Sequence, residues 1–263
     1  TRSEAYGIEL RCDSFPLNRF LPADSLGLLD LALQAGGSGF DPLRAQTRGN
    51  IRLQVDRAEF RGRDFGGVEL NANLEGGQLS GRLSDRDEAL RLLLLVSGTL
   101  TERKQEVRLT GNVFDFDLAE LGISPQKIGG SFALEAGASA SDAGSYTARI
   151  SLDSIEVRTR HRTDRIRPTS LSLSSDTTAT RAKLASGDLS LAFVSPGPVD
   201  SLVPALTRSA DILARQIRAQ SVDMEALKPA LPDFSLSVTA GRENILNNFL
   251  KTKKVSFGAL DIE

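Results

Sequence analysis

Alternation with a period of two constrains this chain more than any other feature. In "GGVELNANLEGGQLSGRLSD", residues 66 to 85, Val68, Leu70, Ala72 and Leu74 alternate with Glu69, Asn71, Asn73 and Glu75. Gly76-Gly77 then turns the chain, and Leu79, Gly81 and Leu83 alternate with Ser80, Arg82 and Ser84. Side chains on a strand point to opposite faces in turn, so this is a hairpin with one apolar and one wet face. The pattern recurs. "NIRLQVD" sets Ile51, Leu53 and Val55 against Arg52, Gln54 and Asp56. In "ALRLLLLVSG" the phase of Arg91 and Ser97 puts Leu90, Leu92, Leu94 and Val96 on the apolar side and Leu93 and Leu95 on the other. Val107 and Leu109 follow, then Ile150, Leu152, Ile155 and Val157 with an irregularity expected at Asp153-Ser154. Leu171, Leu173, Leu184, Leu189, Leu191 and Phe193 continue the pattern. Glycine- and Asp-rich turns separate the runs. The fold class expected is mainly β: an elongated, curled antiparallel sheet, an open trough built from β-meander repeats, with few helices.

Four helical segments stand out. Short helices are expected at 14–21 and at 116–122, where "DFDLAELG" opens on acids and stops at Gly122. The long candidate is 199–230, with Leu202, Leu206, Ile212, Leu213 and Ile217 on one stripe. "RENILNNFLK" reads as a further short helix.

A repeat underlies the alternation. Phe15, Leu17, Phe20, Leu31, Leu33 and Gly36 recur 101 residues later as Phe116, Leu118, Leu121, Phe132, Leu134 and Gly137. "FSLSVTAG" continues the series with Phe234 and Leu236. The expected organisation is a first repeat at 1–111, a second at 112–195, and a third at 196–263 that carries the helical insertion.

Chemistry-bearing patterns are scarce. The chain has one His (His161) and one Cys (Cys12), too few for a conventional zinc site or an internal disulfide. No phosphate-cradling glycine loop follows a strand, and aromatic residues amount to only 5%. No catalytic residue, metal or cofactor is expected. A formal net charge of -2 gives no general pull toward nucleic acid, so no nucleic-acid partner is expected. "VRTRHRTDRIRP" is the sharpest local feature. Arg158, Arg160 and Arg162 would share one strand face, with Thr163-Asp164 turning the chain. Such a patch suits a phosphate or lipid headgroup, but the reading favoured is a solvated edge that blocks strand-to-strand aggregation. The 199–230 stripe likewise fits either a membrane surface or the protein's own sheet.

The stretch "GLLDLALQAGGSGFDPLRAQTRGNIRLQVDRAEF", followed by "FGGVELNANLEGGQLSGRL", resembles the repeating β-meander units of the TamB and AsmA-like envelope proteins. "FDLAELGI" resembles the short helix between their repeats, and "LPDFSLSVTAGRENILNNFL" is similar to a passage in TamB-like proteins of Bacteroidetes-type bacteria. The long 199–230 segment departs from the family pattern. The resemblance implies a non-enzymatic periplasmic segment of a bridge for phospholipid transport. It would be anchored to the inner membrane by an N-terminal segment outside this chain and partnered by an outer-membrane barrel of the TamA type. Phospholipid acyl chains would then lie against Ile51, Leu53, Val55, Val68, Leu70, Leu74, Leu92, Leu94, Leu109, Leu134, Ile150, Leu152, Leu173 and Leu191. The alternatives are a scaffold for outer-membrane barrel or autotransporter assembly, and a plain structural β domain with a filled interior.

Overall fold

A computed structural model describes residues 5–19, 26–141, 144–218, 223, 231–244, 247 and 258–262. It is mainly β. The strands are β1 (Ala5–Pro16), β2 (Leu26–Ser38), β3 (Arg48–Phe60), β4 (Arg63–Phe65), β5 (Val68–Glu75), β6 (Gln78–Arg86), β7 (Leu90–Leu100) and β8 (Lys104–Asp117). They continue as β9 (Gly129–Ser141), β10 (Tyr146–Arg158), β11 (Thr163–Ile166), β12 (Thr169–Ser175), β13 (Ala179–Ser186), β14 (Leu189–Pro196), β15 (Ser235–Ala240) and β16 (Leu260–Ile262). Between β14 and β15 lies the helix α1 (Val199–Arg218). In the first unit β1, β2, β3, β5, β6, β7 and β8 pair antiparallel in chain order, with β4 attached to β3 and β11 to β10. This is the meander that regular hairpin spacing dictates. The chain forms two compact units, one of Thr1–Ser139 with Ser151–Pro168, the other of Ala140–Ile150 with Thr169–Glu263.

In the first unit the β5–β6 hairpin closes through Gly76 and Gly77 at φ 58° and 74°, with Glu75 opposite Gln78. Two successive positive φ values make the twist of the turn match that of the strands, and glycine adopts them without a Cβ clash. The β6–β7 turn is tied by carboxylates: Asp87 accepts the Gly66 and Ala89 N–H groups at 3.0 and 2.8 Å, and Asp85 accepts the Asp87 N–H at 2.9 Å. The irregularity expected at Asp153-Ser154 is present, with Ser154 at φ 51°. The same dipeptide at Asp13-Ser14 puts Ser14 at φ 53°, where the β1–β2 register shifts.

The two short helices expected from sequence are reduced to a single turn each. At 14–21 the strand β1 runs on to Pro16, and a 3-10 helix of three residues follows at Leu17–Arg19, with residues 20 and 21 outside the described residues. At 116–122 the strand β8 runs to Asp117, and the next residues make one turn only. Asp117 caps that turn by accepting the Ala119 and Glu120 N–H groups at 2.9 and 3.3 Å. Leu118 N–H donates to Ile128 at 2.8 Å, which closes a loop too short for a helix that must first nucleate. Gly122, at φ 70°, ends the turn as its position suggests. The turn of the arginine-rich hairpin also shifts. Arg158 pairs with Thr163, so the tip is Arg160-His161 rather than Thr163-Asp164, and Arg160 and Arg162 lie in the turn instead of sharing a strand face with Arg158. Thr163 and Asp164 instead take β positions opposite Arg158 and Val157, a place that suits a β-branched residue.

In the second unit, β12 to β16 pair in chain order. Asp176 shapes the β12–β13 turn by accepting the Thr178 and Ala179 N–H groups at 2.7 and 3.0 Å. These bonds, with that of the Thr178 hydroxyl, hold its pKa at about 2. The long helical candidate is observed as α1; its remainder to 230, and most of "RENILNNFLK", lie outside the described residues. There Asn244 accepts the Asn247 N–H at 2.8 Å.

Candidate functional site

The strand registers trace the first unit's apolar positions strand by strand. Leu10 faces Leu33, then Leu53, Leu70, Leu83 and Leu94, and the row ends on Gly111. A second row runs Ile8, Ala35, Ile51, Ala72, Gly81, Val96, Leu109. Leu74 faces Leu79 in a third, while Val55 joins Leu31 to Val68 and Leu92 faces Val113. The nine predicted lining residues from Ile51 to Leu109 therefore share one face. Seven strands at about 4.8 Å spacing make that face roughly 29 Å across.

Its cover is incomplete. A sandwich that closes over such rows buries their central leucines. Here Leu33, Leu53, Leu70, Leu83 and Leu94 are half-buried, and Ile8, Leu10 and Ile51 are exposed at 58%, 46% and 36%. Among the described hydrophobic residues of this unit, only Ala89 and Val113 are buried. The opposite face is wet: Gln34, Arg52, Asn71 and Arg82 are exposed in one row, and Arg52 donates to Asn71 at 3.2 Å. Leu95 lies on that side, as its phase predicts, and is 47% exposed.

The other predicted lining residues fall on other strands. Leu134 is half-buried on β9, and Ile150 and Leu152 lie on β10, with Ile150 43% exposed. In the second unit Leu173 faces Ala182 and then Phe193, while Leu191 faces Leu184 and Val238, so Leu173 and Leu191 share a face. The strand ends of that face hold hydroxyls: Ser175, Thr180 and Ser195 are 2%, 1% and 1% exposed. Ser175 and Thr180 bond at 3.0 Å, Thr180 donates to the Gly197 carbonyl at 3.0 Å, and Ser175 accepts the Val199 N–H at 2.8 Å. This row fastens the start of α1. The helix buries Leu202 but leaves Val203, Leu206 and Leu213 exposed, so only part of its stripe packs on the protein.

Sequence reasoning missed a charged cleft of about 830 Å³ at the strand ends of the first unit. Its aromatic wall belongs to the aliphatic face. Phe65 pairs with Ala58, which pairs with Leu29, two residues from Leu31 on β2; Phe116 pairs with Leu90, two residues from Leu92. Its charged wall comes from strand ends and the turns beside them. Arg63 is paired with Glu120, Arg158 with Asp115, and Lys127 lies 4.0 Å from Asp117. Of the arginine patch, Arg158 and Arg160 line this cleft, and Arg162 pairs with Asp164 at 2.6 Å. Beside it, Asp85 occupies an aliphatic-face position opposite Leu92, and burial raises its pKa, aided by the Asp87 charge and opposed by the Asp87 N–H. The signal for Asp85 was present in the phase of Leu79, Gly81 and Leu83. No such signal existed for the cleft, because it assembles from strand ends and turns that are far apart in the chain.

Cys12 faces Leu31 on the aliphatic face and is half-buried; His161 is exposed at a hairpin tip. Among the described residues, no three His, Cys, Asp or Glu side chains gather to hold a metal, and no helix is long and apolar enough to cross a membrane. Fold and site define an open antiparallel β-meander with a half-open aliphatic face. The chain matches no protein-family model, no curated protein and no solved structure.

Proposed function

We propose that this chain is a non-enzymatic lipid-shielding segment, of the kind its sequence resemblance to TamB and AsmA-like proteins implies. It would act in the periplasm, within a bridge between inner and outer membranes that is anchored through regions outside this chain and partnered by an outer-membrane barrel. One observation carries the reading: an aliphatic row crosses seven strands of the first unit while its central leucines stay half-buried. Exposing a tail of about 16 methylenes to water costs roughly 13 kcal/mol at ~0.8 kcal/mol per methylene. An apolar wall offsets much of that without any reaction. Rows of similar leucines give similar weak contacts at each step, so a tail can slide rather than lodge.

The test is site-specific photo-crosslinking. Probes at Leu53 and Leu94 are expected to capture phospholipid, and probes at Arg82 and Leu95 on the wet face are not. Equal capture on both faces, or none on either, would overturn the proposal. A second reading has its own support: β1 ends the strand series with twelve residues and exposes Ile8 and Leu10, so it offers a long edge to an added strand. Probes at Gly7 and Glu9 that capture client strands, with no lipid at Leu53, would select this scaffold role.

A further inference from the structure

The charged cleft brings two chemistries together. Phe65 and Phe116 belong to the aliphatic face, and the same cleft is lined by charged residues of strand ends and turns. It holds four cationic side chains, Arg63, Lys127, Arg158 and Arg160. Six carboxylates also line it: Asp64, Asp87, Glu88, Asp115, Asp117 and Glu120. Most are already engaged. Arg63, Arg158 and Lys127 have carboxylate partners, Asp64 accepts from Arg57 at 2.8 Å, and the two Asp87 oxygens accept backbone N–H groups. Arg160 and Glu88 make no hydrogen bond or ion pair among the described residues. One cation and one anion are thus left facing the same cleft.

We propose that this cleft seats a headgroup carrying both a phosphodiester and an ammonium, the tail of the same molecule lying on the aliphatic rows. The proposal rests on the lipid-shielding reading above. Arg160 would take the phosphodiester, since a guanidinium offers several donors to phosphate oxygens. Glu88 would take the ammonium. The net of four cations against six anions selects against a purely anionic headgroup, which would meet Glu88 with no cation to offer it. Phe65 and Phe116 tie the two halves together: a molecule in the cleft touches the end of the aliphatic face.

The experiment uses the whole chain with a photo-crosslinker at Leu94 and vesicles of phosphatidylethanolamine and phosphatidylglycerol in equal amounts, with captured lipid weighed by mass. The expected ratio favours phosphatidylethanolamine by about two- to five-fold, the range one solvent-exposed ion pair gives. Glu88→Gln should bring the ratio to about one with total capture retained. Arg160→Gln should lower capture of both lipids alike, because both carry the phosphodiester. Both residues are exposed, so unfolding midpoints should match the parent. A parent ratio of one, or a ratio that Glu88→Gln leaves unmoved, overturns the headgroup site while the shielding role stands. Competition by free glycerophosphoethanolamine as strong as by the whole lipid also overturns it, since the tail would then contribute nothing. No lipid captured at Leu94 overturns the shielding role and this site together.

Discussion

The half-open state of the aliphatic face makes a quantitative demand on stability. Leu53 and Leu94 belong to one row, separated by Leu70 and Leu83. Three strand spacings put them about 14 Å apart, far enough for substitutions to act independently. Leu→Ala removes close to three methylenes, about 2.4 kcal/mol if the side chain is fully withdrawn from water. Both residues keep part of their surface in water, which reduces that loss, and a face open to solvent traps no empty cavity when the side chain shrinks. Each substitution should therefore cost roughly 1 to 2 kcal/mol, and the double variant about 2 to 4 kcal/mol. In a closed core the same change costs about 3 to 5 kcal/mol per site, because the unfilled cavity adds its own term. Urea unfolding followed by circular dichroism separates the two cases, provided both variants share the parent's slope, so that midpoints report stability alone. A cost above 3 kcal/mol at both sites would mean that these leucines sit under cover, and the reasoning behind the lipid-shielding role would fail.

Two further substitutions probe the buried polar groups. Burial raises the pKa of Asp85, so the folded state binds its proton more tightly than the unfolded chain, and stability falls as pH rises from the ordinary 3.8 through the raised value. Asp85→Asn should therefore stabilise the protein at pH 7 relative to pH 3.5, with unfolding midpoints at the two pH values as the measurement; a larger deficit at pH 7 would contradict the burial argument. Thr180→Val keeps the shape of the side chain but removes the donor to Gly197 and the partner of Ser175, at a cost of about 1 to 3 kcal/mol for the orphaned groups. Hydrogen exchange should show faster opening at the start of α1, whose Val199 N–H bonds to Ser175; unchanged exchange there would mean that the hydroxyl row does not hold the helix.

The sheet was legible because a strand writes its two faces into alternate residues. Leu53, Leu70 and Leu94 share a face in the registers as their spacing requires, and the phase of Arg91 and Ser97 correctly sent Leu95 to the wet side. Gly76-Gly77 announced its own turn for a similar reason: few other residues accept two positive φ values in succession. The errors fell where local pattern competes with chain connectivity. "DFDLAELG" has the acids and the terminal glycine of a helix, yet β8 extends through Asp117 and Leu118 must reach back to Ile128, so one capped turn is all the loop can hold. In the arginine hairpin, Thr163 and Asp164 read as a turn because Asp favours turns, but the pairing of Val157 with Asp164 fixes the tip three residues earlier. The charged cleft left no local trace at all. Arg63, Glu88, Lys127 and Arg160 are far apart in the chain, and only the side-by-side pairing of successive hairpins brings them to one rim.

Glycine contributes to the aliphatic face in a way that counting leucines overlooks. A Cβ built on Gly111 would lie 2.0 Å from the Leu93 carbonyl oxygen and 2.9 Å from Cδ2 of Leu94, and one on Gly81 would lie 2.8 Å from Cγ1 of Val96. Leu94 and Val96 thus lean over bare backbone on the neighbouring strands. Where a larger residue would stand up from the sheet and wedge the rows apart, the glycine lets the aliphatic chain lie down and the surface stay low. At Gly111 the obstacle is a carbonyl of the paired strand, which cannot rotate away, whereas at Gly81 the nearest atom is the end of a valine that can. The two glycines are therefore unequal: Gly111 is required by the β7–β8 pairing itself, and Gly81 by the smoothness of the face above it. A surface meant only to fill a core would gain by replacing Gly81 with a methyl-bearing residue that Val96 could accommodate, while a surface along which a tail slides is better served by its absence.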